Sequence, residues 1–429
     1  MKAVPLIFFI LFVMSYKANS QISIEDCQEK ARLNYPLIRQ YGLIDENEKL
    51  AISNANKGYL PQVTVSAKAT YQSDVTVIPS SLGQILSQMT GREVTFPELS
   101  KDQYQAVLEI NQLIWDGGII SANKKISNVD AEVSGRKLEV DLYALKERIS
   151  QLFFGILIID SQLKQNDLFK EELEKNSEKV NALIRNGIAS QAELDIIKVE
   201  QINSLQREIE LKSTGKAFMN MLAAFTGMKI DESTIFVTPD LSDPDFGNLI
   251  IKRPELYLFE SQNKLIDIQK SLLYASNYPK VGLFLQGGYG QPGLNMFSEG
   301  FHPYYIGGVR FSWNLNGFYN QKNNLGKLEN SKRNLDIQKE IFLFNVKQKI
   351  TQQEEEIKKL KSVVVNDYEI VKLRENIKNI SSAKLENGTL TVTDLVREIN
   401  AENQARLLKS IHEIQLVMSI YNLKNNINN

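Results

Sequence analysis

Between Gly118 and Arg185 the chain runs 68 residues without a proline. Within that stretch Leu138, Leu142, Leu145, Ile149, Leu152, Ile156, Ile159 and Leu163 recur at alternating steps of four and three. A 3.5-residue apolar period predicts a helix lying along other helices as a coiled-coil seam. At 1.5 Å per residue, an unbroken helix of this length would reach about 100 Å, two to three times the width of an ordinary domain.

A second pattern has period two. Val63, Val65, Ala67, Ala69 and Tyr71 alternate with Thr64, Ser66, Lys68 and Thr70, directly after Pro61. After Pro279, Val281, Leu283, Leu285 and Tyr289 share a face with Gly287, and later Tyr305, Val309, Phe311, Trp313 and Leu315 alternate with Arg310, Ser312 and Asn314. Such alternation predicts strands at about 61–72, 104–115, 279–290 and 304–315, in pairs joined by turn-rich loops.

The two patterns occur twice in the same order. Pro36 and Pro61 are 25 apart, as are Pro254 and Pro279; Gly117 to Gly187 is 70 residues and Gly317 to Gly388 is 71. Both long helices end in Asn-Gly, and leucine follows each glycine at seven residues, Leu194 and Leu395. The expected organisation is an internal duplication. The first repeat, 21–225, carries a long helix at 117–185 and a return helix at 191–224. A connector at 226–248, packed outside the helices, leads to the second repeat, 249–429, with helices at 317–386 and 392–423. Short helices at 24–57 and 254–276 precede the strands.

Four strands of about 9 to 12 residues have the length that crosses a bilayer when tilted. Each has a mostly apolar face and an opposite face carrying Lys68, Glu109 and Arg310, which is the lipid-out, lumen-in alternation of a membrane barrel. Four strands cannot close, and open edges are not tolerated in hydrocarbon. Two copies would supply eight strands and three would supply twelve, the wider ring leaving room for solute.

Composition narrows the chemistry. The 50 basic and 51 acidic residues are interspersed, so there is no electrostatic footprint for nucleic acid. One cysteine and two histidines leave little for a disulfide, a zinc site or histidine-based catalysis. No enzymatic cluster and no cofactor motif is evident; Gly287 to Gly293 is glycine-rich but lacks the Gly-Lys-Ser/Thr of a phosphate loop. Residues 1–20 read as a cleavable secretory signal, with Lys2, an apolar run and Ala18-Asn19-Ser20.

The order and spacing of these motifs resemble the TolC family of outer-membrane efflux and secretion channels. The residues that carry the resemblance are Ala31 to Leu37, the Tyr59-Leu60-Pro61 strand entry, and the two glycine turns followed by Asp or Glu and Leu. The resemblance implies an α+β membrane protein: a homotrimer with a twelve-stranded β-barrel in the outer-membrane lipid of a Gram-negative bacterium, continuous with a long α-helical coiled-coil barrel across the periplasm. It implies an exit duct for a tripartite efflux or type I secretion system. The two turns, Arg185, Asn186, Gly187, Ile188, Ala189, Ser190 and Glu386, Asn387, Gly388, Thr389, Leu390, Thr391, would then meet a periplasmic membrane-fusion adaptor, itself bound to a proton-driven or ATP-driven inner-membrane pump. Without that family context they are ordinary interhelical turns.

Glu193 and Asp394 lie just inside the turns, where threefold repetition would bring carboxylates together as a gate. The alternative is an ordinary acidic residue in a first helical turn. Arg397, three residues after Asp394, could pair with it across protomers and weaken an acidic ring. Tyr71, Tyr104, Tyr289, Tyr305, Trp115 and Trp313 are either interfacial aromatic girdles or ordinary strand aromatics. The competing reading of the whole chain is a trimeric membrane-anchored stalk without transport.

Overall fold

Proline and glycine punctuate this chain, and between them the apolar period decides the element. The computed structural model describes residues 21–96, 99–240, 250–298 and 300–427. The secretory-signal reading of 1–20 and the connector residues 241–248 therefore lie outside the described residues.

In order, the elements are β1 (Gln21–Ile22), α1 (Ile24–Asn34), a 3₁₀ turn (Pro36–Arg39), α2 (Gln40–Lys57), β2 (Gln62–Tyr71), α3 (Ser80–Thr90) and β3 (Asp102–Trp115). Next come α4 (Ile119–Arg185), α5 (Gln191–Thr226), β4 (Ile235–Phe236), α6 (Pro254–Ala275), β5 (Lys280–Gln291), β6 (His302–Ser312), α7 (Gly317–Glu386) and α8 (Val392–Ile427).

Four of the differences from the sequence expectation have a local reason. The helix expected over 24–57 is broken at Pro36, which has no N–H to donate and holds Tyr35 in an extended conformation. The first strand-to-strand loop contains α3, closed at its end by Gly91 in the left-handed region. Helix α4 begins at Ile119 because the Asp116 carboxylate accepts from the N–H groups of Gly118 (2.8 Å) and Ile120 (2.6 Å). Strand β6 ends at Ser312, three residues short of the expected Leu315. There the Trp313 indole donates to the carbonyl of Asn277 at 2.9 Å and the Asn314 side chain accepts from Asn316 N–H.

The chain forms two compact units, and neither follows the chain halves. One comprises the described parts of 1–40, 137–256 and 340–429; the other comprises 41–136 and 257–339. Helices α4 and α7 contribute to both.

The first unit is helical. Along α4, Leu138, Leu142, Leu145, Ile149, Leu152, Ile156 and Ile159 are all buried, as the 3.5-residue period requires. Their midpoint packs with α1 and with Phe236 of β4, which pairs in parallel with β1. The connector thus supplies a core residue to this unit. The seam of α7, through Val346, Ile350 and Ile357, packs with Ile420, Leu423 and Ile427 of α8. A third cluster gathers Phe169, Leu173 and Val180 of α4, Leu194 and Ile197 of α5, and Val392, Leu395, Val396 and Ile399 of α8.

The second unit is built on one antiparallel sheet of order β2-β3-β5-β6, with β2 and β6 at its edges. A bulge between Leu113 and Trp115 resets β3 where it leaves the sheet. Among the described residues no helix is long and apolar enough to cross a membrane.

Candidate functional site

Register assigns every sheet residue to a face. Partners across the sheet put Val63, Val65, Tyr71, Tyr104, Leu108, Leu283, Leu285, Tyr289, Tyr305, Val309 and Phe311 on one side. These side chains are exposed, Val65 at 77% and Tyr305 at 80%. An apolar face this extensive, left open, fits an apolar surrounding better than water. Tyr71, Tyr104, Tyr289 and Tyr305 cluster toward one end of that face, while Phe311 and Trp115 lie at the other. Trp313 lies past the end of β6.

The opposite face is polar. Thr64, Glu109, Gln286 and Ile306 form one cross-strand row, and Lys68, Gln105, Gly290 and His302 form another two rows away. The structure brings two of the three expected lumen residues together. Arg310 lies over the Phe284 ring, 4.8 Å from its centroid, and reaches Glu109 and Asn111, each at 3.1 Å. Lys68 is separate from that group. In the row between, the Tyr304 ring lies across Gly288, where any side chain would collide with it, and its hydroxyl meets the Gln105 amide.

At the far end of α4 and α7, in the helical unit, the two expected turns are built alike. Gly187 and Gly388 have φ of +73° and +71°. Ile188 N–H donates to Leu183 O and Thr389 N–H to Lys384 O, each at 2.9 Å, capping the long helices. Ser190 then opens α5 with a capping box: Glu193 accepts from Ser190 N–H at 2.8 Å. Thr391 opens α8, accepting from Asp394 N–H at 3.2 Å while its hydroxyl donates to Asp394 at 2.8 Å. Lys179 bridges to Glu386 at 3.2 Å. Ile188 is 63% exposed at its turn.

The acidic residues expected at a gate already have partners within the chain. The Ser190 N–H above all, with the Ser190 hydroxyl and Val392 N–H, holds the Glu193 carboxyl below the usual carboxylate range against partial burial. Arg397 lies 3.2 Å from Asp394 within the same chain.

Taken over the whole chain, this arrangement superposes on solved outer-membrane channels. The outer membrane protein VceC of Vibrio cholerae aligns with TM-score 0.66 and 13% identity, over 94% of this chain and 95% of its own. The outer-membrane channel OprN gives 0.69 and 13%, over 94% and 89%. The CmeC outer membrane channel of Campylobacter jejuni gives 0.64 and 12%, over 100% and 93%. The chain has the TolC-type channel fold. No family model and no curated protein matches the sequence.

Within the TolC-type fold, several contributors carry no local sequence signal. Gln105, Asn111, Phe284 and Tyr304 gain meaning only from cross-strand register. The helical unit also holds a charge network: Lys378 lies 2.8 Å from Glu172 and 3.2 Å from Glu402, while Arg406 joins Glu402 to Glu375. Lys378, Glu172, Glu402 and Arg406 border a cavity of about 530 Å³, also lined by Phe169, Leu395 and Ile399. The capping box at Ser190 has a local signature, Ser-x-x-Glu, in the sequence.

Proposed function

We propose that three copies of this chain pool their sheets into a twelve-stranded barrel in the outer membrane of a Gram-negative bacterium. The assembly serves as the passive exit duct of a tripartite efflux or type I secretion system. The observation that carries this reading is the sheet itself: four antiparallel strands, two open edges, one exposed apolar face and one polar face. Because β2 and β6 run in opposite directions, β6 of one copy meets β2 of the next in antiparallel pairing, so the same contact repeats until the ring closes. Eight strands leave an interior filled by side chains; twelve leave a passage.

Assembly is also favoured by the helical unit. Val199, Ile202, Leu205 and Ile209 on α5, and Ile370, Leu373, Ile377 and Ile380 on α7, are exposed at steps of three and four. Such stripes are seams lacking a partner helix within the chain, and a neighbouring copy supplies one. The likeness between the two halves, with helices of 36 residues after each turn, fits an internal duplication, which gives a trimer six similar turns.

Those turns, Arg185 to Ser190 and Glu386 to Thr391, are the proposed contact with a periplasmic adaptor, and an inner-membrane pump supplies the energy. Asp394 and Arg397 border the proposed constriction as a paired, near-neutral unit. Purified protein reconstituted into planar bilayers should behave as a trimer and conduct ions. A non-conducting trimer would favour the stalk reading, and a water-soluble monomer would overturn both. Cysteines at Asn186 or Asn387 should crosslink to the adaptor in intact cells; absence of any crosslink counts against the turn assignment.

A further inference from the structure

The two turns follow one plan up to the third residue of the returning helix, and there they part. In each, a hydroxyl at the helix cap meets an acidic residue three positions on. In the α7–α8 turn the acid is Asp394, and its contacts stay within its own turn and helix: Thr391 on one oxygen, Arg397 on the other at 3.2 Å. In the α4–α5 turn the acid is Glu193, one methylene longer. Its Oε2 accepts from the N–H and hydroxyl of Ser190 at 2.8 and 3.2 Å. Its Oε1 accepts from Val392 N–H, the first residue of α8, at 3.4 Å.

Val392 is where such a contact is needed. The first N–H groups of a helix have no intrahelical acceptor, and a cap side chain serves the second or third of them. Here the Thr391 hydroxyl serves Asp394 N–H, the third. Val392 is 1% exposed, so its N–H has little access to water, and a buried N–H left unmade is costly. The carboxylate of the other turn fills the gap. One side chain thus caps two helices that belong to two different hairpins, 199 residues apart in sequence.

We propose that Glu193 is a positioning residue that couples the two hairpin turns into a single docking face, so that a partner engaging one turn holds the other in place. Apolar packing of Leu194, Val392 and Leu395 brings the helices together; Glu193 fixes the backbone that leads into them. The inference rests on the adaptor reading only for what docks on the face. The coupling belongs to this chain alone.

The test measures the turns with no partner present. Spin labels are placed on Ile188→Cys and Asn387→Cys in a Cys27→Ala background, with labelled chains diluted into unlabelled ones. Pulsed electron resonance then reads the distance between the turns. The full-length parent should give one narrow distribution. Glu193→Asp keeps the charge and the local cap but is too short to reach Val392, and it should broaden the distribution with helix content unchanged. Hydrogen exchange at Val392 should speed up by about tenfold or more in the same variant. Glu193→Ala should show both effects at least as strongly. Unchanged width and unchanged exchange in Glu193→Asp and Glu193→Ala would overturn the coupling. Loss of adaptor crosslinking with the coupling intact would instead strike the docking reading.

Discussion

The guanidinium of Arg310 stands 3.1 Å from the carboxylate of Glu109, although the two residues lie on strands separated by β5. Phe284 lies beneath the bridge and Asn111 steadies it. On the polar face of the sheet this pair is close to neutral, so removing one member exposes the other. Arg310→Ala should shift ion preference toward cations, and Glu109→Gln should shift it toward anions. The reversal potential across a salt gradient reads the sign. Exchanging the two charges should restore the parent value.

Backbone conformation alone sets the need for glycine at the turns. A Cβ added at Gly187 or Gly388 meets nothing within 4 Å, yet both residues have positive φ. Gly187→Ala and Gly388→Ala should each cost about 1 kcal/mol. Gly135, inside α4 with equally open space, is the control. There alanine should stabilise by about 1 kcal/mol through helix propensity. Thermal unfolding followed by helical circular dichroism distinguishes the two signs.

The Lys378 cluster gives an alkaline signature. Burial opposes its charge most strongly, but Glu172 and then Glu402 outweigh it, and its pKa is raised. A raised lysine contributes stability that is complete below the unfolded value of about 10.4 and is lost as pH rises through the higher folded value. Lys378→Met should remove that alkaline loss. Glu402 is 2% exposed but keeps Arg406 as a partner, so the same variant should destabilise by about 1.5 kcal/mol at neutral pH, the scale of one charged hydrogen bond. A pH series of unfolding midpoints measures both.

An acid signature belongs to Glu208, which lies 2.5 Å from Lys170 and 2.7 Å from Lys212. The Lys170 hydrogen bond first, and then that of Lys212, lower its pKa to about 2 from the ordinary 4.5. Its contribution is therefore present above 4.5 and lost as pH falls toward 2. Glu208→Gln should flatten that limb of the stability profile, and an unaltered limb would show that the lysines do not act on it.

Pairing of Asp394 with Arg397 inside one chain predicts how a constriction responds to mutation. Arg397→Ala frees the carboxylate and should raise cation preference in bilayer recordings. Asp394→Ala should lower it. If neither variant changes conductance or preference, these residues do not border the passage.

Much of this was readable from the sequence because it depends on local period. The seam from Leu138 to Ile159 and the alternation from Val63 to Tyr71 each declare an element and a face without help from the rest of the chain. What could not be read depends on contacts between distant segments. Arg310 finds Glu109 only through the register of three strands, and Phe236 finds Phe153 through a two-residue strand too short to carry a pattern. Glu193 is the instructive case. Its place in a capping box follows from Ser190, three residues earlier, but its second partner, Val392, is disclosed only when the two hairpins are brought side by side.

The edge strands carry an implication for how such a molecule can diverge. A protomer with an odd number of strands would place like-directed edges at every boundary and force a parallel seam there. In the proposed ring the pore could therefore widen or narrow only in whole hairpins, or by a change in the number of copies, and never one strand at a time.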